Sequence, residues 1–206
     1  MPELGLPKRE FTKRIHEYNF LTTDEARELL TNYNEKYVGK GAECVVIENK
    51  KNPETVLAFT YRTLSPEIAK RIFYTQRIFS TLFPKNFPRF FAAFGSLSGK
   101  SHPTGTVREK IAGDVSHYEP EAQGSVHPFS DVKDFVRAIG LPQYIFDFGG
   151  DNMMYTEERE QYYIDVIQVL SPITSIQKLR IINFMSEMRY SESEKRDVEI
   201  SIERLN

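Results

Sequence analysis

Tyr144-Ile145-Phe146-Asp147-Phe148-Gly149-Gly150-Asp151-Asn152-Met153-Met154-Tyr155, answered downstream by Tyr162-Tyr163-Ile164-Asp165-Val166, is the stretch whose reading decides the fold. A short apolar run brings a carboxylate, Asp147, to the end of a β-like segment. A loop with two glycines leads on to an amide, Asn152. A second apolar run, a charged turn over residues 156–161 and a third apolar run end on Asp165. Two strands joined by that turn make a hairpin with Asn152 and Asp165 at one end. A carboxylate and an amide oxygen suit a hard cation such as magnesium, which takes few protein oxygens and keeps several waters. Asp147 would sit beside that metal without binding it, where a hydroxyl awaiting activation would lie. An ordinary hairpin with surface carboxylates and a helix-stopping glycine pair satisfies the same local pattern.

Upstream, Tyr37 to Glu48 holds two apolar runs flanking the turn Gly39-Lys40-Gly41, and glycines there let backbone N–H groups approach phosphates. Residues 55–62 read as a third strand. Ser65-Pro66-Glu67 opens a helix with a capping serine, a first-position proline and an acid near the positive end. Its expected buried face is Ile68, Ile72, Phe79 and Leu82, and Pro84 ends it. Strands over residues 87–94 and 106–113 follow, the second ending in Gly113. Residues 114–128 form a polar linker. Ser130 is the expected cap of a helix over residues 131–139, stopped by Gly140-Leu141-Pro142. Ser171-Pro172 begins another helix, with Ile173, Ile176, Leu179, Ile182, Met185 and Met188 as its buried stripe. Ser191 and Glu194 form a capping box for a last helix over residues 192–205. Residues 11–33 read as one or two helices that pack on the rest or meet a protein partner.

In this order the motifs resemble the protein-kinase-like superfamily, as a small atypical or degenerate member, over residues 37–170. The resemblance implies an α+β, bilobal fold. An N-terminal helical extension (1–36) precedes an N-lobe with a five-stranded antiparallel sheet (37–113) and a reduced, mainly helical C-lobe (114–206). It implies ATP and Mg2+ as cofactors, Asp147 as the catalytic carboxylate, and Asn152 and Asp165 as metal ligands. Gly39 and Gly41 cover the phosphates. Glu109 begins a hinge, continued by Ile111, whose backbone groups hold adenine, and Arg108 borders the adenine pocket.

The departures are specific. Ile145 and Phe146 stand where the superfamily has His and then Arg or Gly, and Val166-Ile167 replace Phe-Gly. Cys44 takes the place of a third glycine. Thr60 occupies the position of the phosphate-binding lysine. Arg62, two residues on, leaves the same face of a regular strand. Arg62 or Arg108 would supply the missing charge; equally, Arg62 reads as a solvated charge at the strand end, and Arg108 as turned toward a carboxylate. Glu67 is the only acid of the helix after that strand and lies in its first turn, so the usual lysine–glutamate pair is lost. Lys70, Arg71 and Arg77 read as a solvated face.

Two functions follow from the resemblance. One is an ATP- and Mg-dependent phosphotransferase acting on a hydroxyl of a small molecule or protein. The alternative is a pseudokinase, a nucleotide-binding or protein-interaction scaffold without catalysis. A third reading, outside the resemblance, is a non-catalytic α+β interaction module whose hairpin mimics the motif.

Composition narrows the field. With 206 residues, 40% hydrophobic and 27% charged, the chain can bury a sizeable core. A net charge of −2 gives no general attraction to nucleic acid or anionic membrane. No apolar run approaches a membrane span, and the first residues lack a signal core. One cysteine, Cys44, excludes an internal disulfide, and the four histidines show no metal-ligand spacing. A cytoplasmic setting is expected, in the source cell or in a host cell.

Overall fold

The alternating apolar runs and the capped amphipathic stretches form the elements their patterns call for, with several shifted boundaries. A computed structural model describes residues 20–21, 37–40, 44–48, 53–60, 66–95, 105–113, 129–142, 146, 152–156, 161–164 and 172–206. Its elements are β1 (Phe20–Leu21), β2 (Tyr37–Lys40), β3 (Cys44–Glu48), β4 (Thr55–Thr60), α1 (Pro66–Leu82), β5 (Phe90–Phe94) and β6 (Gly105–Glu109). There follow α2 (Ser130–Ile139), β7 (Met153–Tyr155), β8 (Gln161–Tyr163), α3 (Ser175–Glu187) and α4 (Glu192–Leu205). The chain divides into two units, residues 1–73 with 89–110 and residues 74–88 with 111–206. Helix α1 thus gives its first residues to one unit and the rest to the other.

The first unit is built on a mixed sheet of order β1-β5-β6-β4-β3-β2. Five of its strands are antiparallel neighbours, but the sheet has six rather than the expected five. The sixth is β1, which pairs parallel to β5 through Phe20↔Ala93 and Leu21↔Phe94. Phe20 and Leu21 lie in a stretch that reads as helix; here they occupy the outer edge of β5, whose backbone groups call for a partner. The apolar run Val56-Leu57-Ala58 fills the central strand β4 and is buried throughout. Gly105 stands opposite Phe94, and a Cβ there would come within 2.1 Å of that ring. Phe94 is 1% exposed and has nowhere to move, so only hydrogen fits at position 105. In the α1 residues of this unit Ala69 and Phe73 are buried, while Ile68, expected on the buried face, is 48% exposed.

The second unit has an aromatic core. Phe79 on α1 packs against Phe83, Phe87, Phe135 and Phe146, with ring centroids 6.4, 5.7, 6.2 and 5.0 Å away. Phe184 on α3 closes on Phe135 at 4.7 Å. Such pairs are worth about 0.5–1.5 kcal/mol each beyond the area they bury. The Tyr190 hydroxyl donates to the carbonyl of Leu82, the last residue of α1. Burial raises the Tyr190 pKa above the ordinary phenol value, and Glu194 raises it further.

Helix α2 buries Val132, Phe135, Val136 and Ile139, as its spacing requires. Its N-cap is Phe129, with no side-chain cap, and Ser130 is already helical. Gly140 ends it in the left-handed region at φ 76°. Two side chains of α3 satisfy carbonyls left over at that end: Arg180 donates to Ala138 at 3.1 Å and Gln177 to Gly140 at 3.0 Å.

Helix α3 starts later than Ser171-Pro172 suggests. Thr174 is the N-cap, in a capping box with Gln177. Its buried residues are Ile181 and Met185, whereas Ile176, Leu179 and Met188 of the expected stripe are 66%, 61% and 61% exposed. Helix α4 buries Val198, Ser201, Ile202 and Leu205. Asn206 beyond it bonds both polar groups of Ile173, accepting from its N–H and donating to its carbonyl, each at 2.8 Å. Among the described residues no helix is long and apolar enough to cross a membrane.

The Ser191–Glu194 capping box is present as its spacing dictates, with a side chain bonding backbone in both directions. The hydrogen bonds from Ser191, side chain first and backbone second, hold the Glu194 carboxyl below its ordinary pKa. A depressed carboxylate contributes stability above the unfolded pKa and loses it as pH falls through the folded one. Ser191→Ala should cost about 1 kcal/mol at neutral pH. Its difference from the parent protein should shrink in acid, measured by urea denaturation of both proteins at the two pH values.

Candidate functional site

The alternating run Met153-Met154-Tyr155 and the run Gln161-Tyr162-Tyr163 pair as the expected hairpin. Its register is Met153↔Tyr163, Met154↔Tyr162 and Tyr155↔Gln161. At the open end the N–H of Ile164 donates to the carbonyl of Asn152 at 2.9 Å. Asn152 is half-buried there. Position 165 is the next residue of the same chain. Asp165 lies outside the described residues, as does Asp147.

The residue before Asp147 is described. Phe146 is buried at 7% exposure, and its ring lies 5.5 Å from that of Tyr163, 5.6 Å from Phe87 and 5.0 Å from Phe79. Tyr163 is fixed in turn, since its N–H donates to the carbonyl of Asn86 at 2.7 Å. The described flanks of the motif, Phe146, Asn152 and Ile164, therefore meet around one hairpin end. They meet because an apolar residue, not a charged one, precedes Asp147 and enters the aromatic core.

Gly113 is held at the other end of this hairpin. A Cβ at that position would lie 2.3 Å from the carbonyl oxygen of Tyr155 and 2.9 Å from its carbon. Both are backbone atoms and yield less readily than a side chain. The glycine that ends the expected hinge strand is thus a contact glycine for β7.

In the first unit Gly39 lies on β2 opposite Val46, beside a register shift between Tyr37 and Gly39. Gly41 and Arg62 lie outside the described residues. Thr60, at the lysine position, is the partner of Cys44 across β3 and β4. Gly39 and Glu109 share the sheet but not a strand pair, with β3 and β4 between β2 and β6. The Glu109 carboxylate is engaged by Arg89: the guanidinium donates to Oε1 at 2.9 Å and Oε2 at 3.3 Å, and the Arg89 N–H to Oε2 at 3.1 Å. This leaves the hinge role assigned to Glu109 to its backbone. Its N–H donates to the Arg89 carbonyl at 2.9 Å, and the N–H of Lys110 to that of Glu54 at 2.8 Å. Lys110 also pairs with Glu48 at 3.0 Å. Arg108, between these, is 8% exposed. Ile111 follows β6 as half-buried coil in the second unit.

The basic residues of α1 are not a solvated face. Arg77 is 11% exposed in its side chain and pairs with Asp197 at 3.5 Å. Arg71 is half-buried, with Nε and Nη2 both out of contact with solvent and without a hydrogen-bond partner. The signal for Arg71 was in the sequence: positions 71, 75, 78 and 82 run down one helix line, and Ile78 and Leu82 on it are buried. Glu67 is exposed at the helix start. Among the described residues no group of three or more His, Cys, Asp or Glu side chains clusters as a metal site.

Gly113→Ala should destabilise the protein by about 1–3 kcal/mol through overpacking. Urea denaturation followed by tyrosine fluorescence measures this. An unchanged midpoint would mean that Gly113 and Tyr155 do not touch.

No family model and no curated protein matches the chain. Among solved structures, the pseudokinase DRIK1 (drought responsive inactive kinase 1) bound to ENMD-2076 is similar over 90% of this chain and 89% of its own, at 12% identity and a TM-score of 0.44. A second pseudokinase, in its apo form, is similar over 86% of this chain and 85% of its own, at 11% identity and a TM-score of 0.43.

Proposed function

We propose that this chain is a nucleotide-binding protein of kinase-like architecture that transfers phosphate from ATP to a hydroxyl of a small molecule or protein. The observation that carries the reading is the hairpin end, where Ile164 bonds Asn152 and Asp165 follows at once. An amide oxygen and a carboxylate at one strand end would be an oxygen donor set suited to Mg2+. In this reading Asn152 and Asp165 hold the ion, which neutralises charge on the nucleotide's phosphates. Asp147 orients the acceptor hydroxyl and takes its proton. The backbone at Gly39 and Gly41 covers the phosphates, and the backbone of Glu109 and Ile111 holds adenine. Arg62 or Arg108 stands in for the absent lysine.

A second reading, a pseudokinase that binds nucleotide or a protein without catalysis, is favoured by a specific observation. Helix α1 offers no acid beyond Glu67, which is exposed in its first turn, and Thr60 brings no charge. The lysine–glutamate pair that ordinarily readies such a site is therefore missing from both sides.

Thermal melting with ATP, with and without magnesium, separates the two. The transferase reading expects stabilisation that grows with the metal. Asp165→Ala should abolish the metal-dependent part, and Asp147→Asn should keep binding while ending phosphate transfer from radiolabelled ATP. Stabilisation that ignores both magnesium and Asp165 would leave the scaffold reading. A metal-dependent shift surviving in Asp165→Ala would remove Asp165 from the ligand set.

A further inference from the structure

We infer that Arg71 is an oxyanion-binding residue and that α1 presents it to a phosphate group. A guanidinium stays charged at every pH a protein meets. Guanidinium donors taken out of water without a partner are unfavourable, and folds tolerate them where something answers them. Two guanidinium nitrogens of Arg71, Nε and Nη2, are buried without a hydrogen-bond partner. These are neighbouring donors of the planar fork that matches two oxygens of a phosphate. Glu67, four residues earlier and within helical reach, is exposed and makes no ion pair with it. The fork therefore offers two donors to one anion.

The ligand class this selects is a phosphate oxyanion, either in a nucleotide's phosphate chain or as a free polyphosphate. Assigning it to a nucleotide rests on the function proposed above. Helix α1 then supplies to the phosphates a positive charge that β4 does not, since Thr60 has none.

Calorimetric titration of the full chain with sodium tripolyphosphate, and separately with ATP, tests the assignment. Arg71→Met keeps the length of the side chain and removes its charge. Arg71→Lys keeps the charge and removes the fork. The parent protein should bind both anions. Arg71→Met should bind them about ten- to a hundredfold more weakly, the loss of hydrogen bonds to a charged group. Arg71→Lys should fall between. Without added anion, Arg71→Met should melt no lower than the parent, because it removes two unpartnered donors.

Binding of tripolyphosphate but not ATP, lost in Arg71→Met, would keep the anion site and remove the nucleotide reading. Equal ATP binding by the parent and Arg71→Met would overturn the role of Arg71 and leave the nucleotide reading intact. Binding of neither anion by the parent overturns the inference. So does a lower melting temperature for Arg71→Met in anion-free buffer, which would mean that the charge is already answered within the protein.

Discussion

The ring of Phe146 cannot leave its place without uncovering Phe79, Phe87 and Tyr163, and on that contact the candidate site depends. Each of those rings is anchored elsewhere: Phe79 in α1, Phe87 in the turn after it, and Tyr163 in β8. The approach to Asp147 is therefore set by dispersion and apolar burial. At that place the resembled superfamily has a polar or minimal residue. An aromatic holds the chain by packing and needs no counter-charge, so salt and pH have little purchase on this part of the motif. The hairpin shares the same foundation, because Tyr163 is at once a partner of Met153 and a wall of the Phe146 pocket.

Much of the fold could be read from the residues, and for local reasons. The hairpin of β7 and β8 follows from two short apolar runs around a charged turn. The Ser191–Glu194 box and the Gly140 stop follow from side chains acting within one turn of themselves. The antiparallel strands β2 to β6 follow from short apolar runs separated by turns and by one capped helix. What failed depended on a partner distant in sequence. Phe20 and Leu21 became a strand because the edge of β5 was there to be paired. Helix α3 carries two apolar lines, and nothing within the helix says that Ile181 and Met185 would be covered and Ile176 and Leu179 left out. The start of α3 is the local exception, set at Thr174 by a capping box with Gln177 three residues on.

The hairpin beneath the candidate site was legible to the same degree. Asn152 stands at its open end, where the described flanks of Asp147 and Asp165 gather. The charges were the harder part. Arg71, Arg77 and Arg108 look alike in sequence, as basic residues amid apolar neighbours. Arg77 found Asp197 on a distant helix, Arg108 went into the sheet, and Arg71 is half-buried on its helix with two donors unmatched. Sequence spacing fixes which line of a helix a cation occupies. It does not fix what faces that line.

Asn206 grips Ile173 by giving one hydrogen bond and accepting another, and the two functions belong to two different atoms of its carboxamide. Replacing the nitrogen by oxygen, as deamidation does, would turn the donor into an acceptor facing a carbonyl, with a negative charge added. A modification of a single atom, invisible to shape or volume, would thus convert a clasp between the lead-in to α3 and the end of α4 into a repulsion. The chemical ageing of one amide is in this way written into the packing of the last two helices.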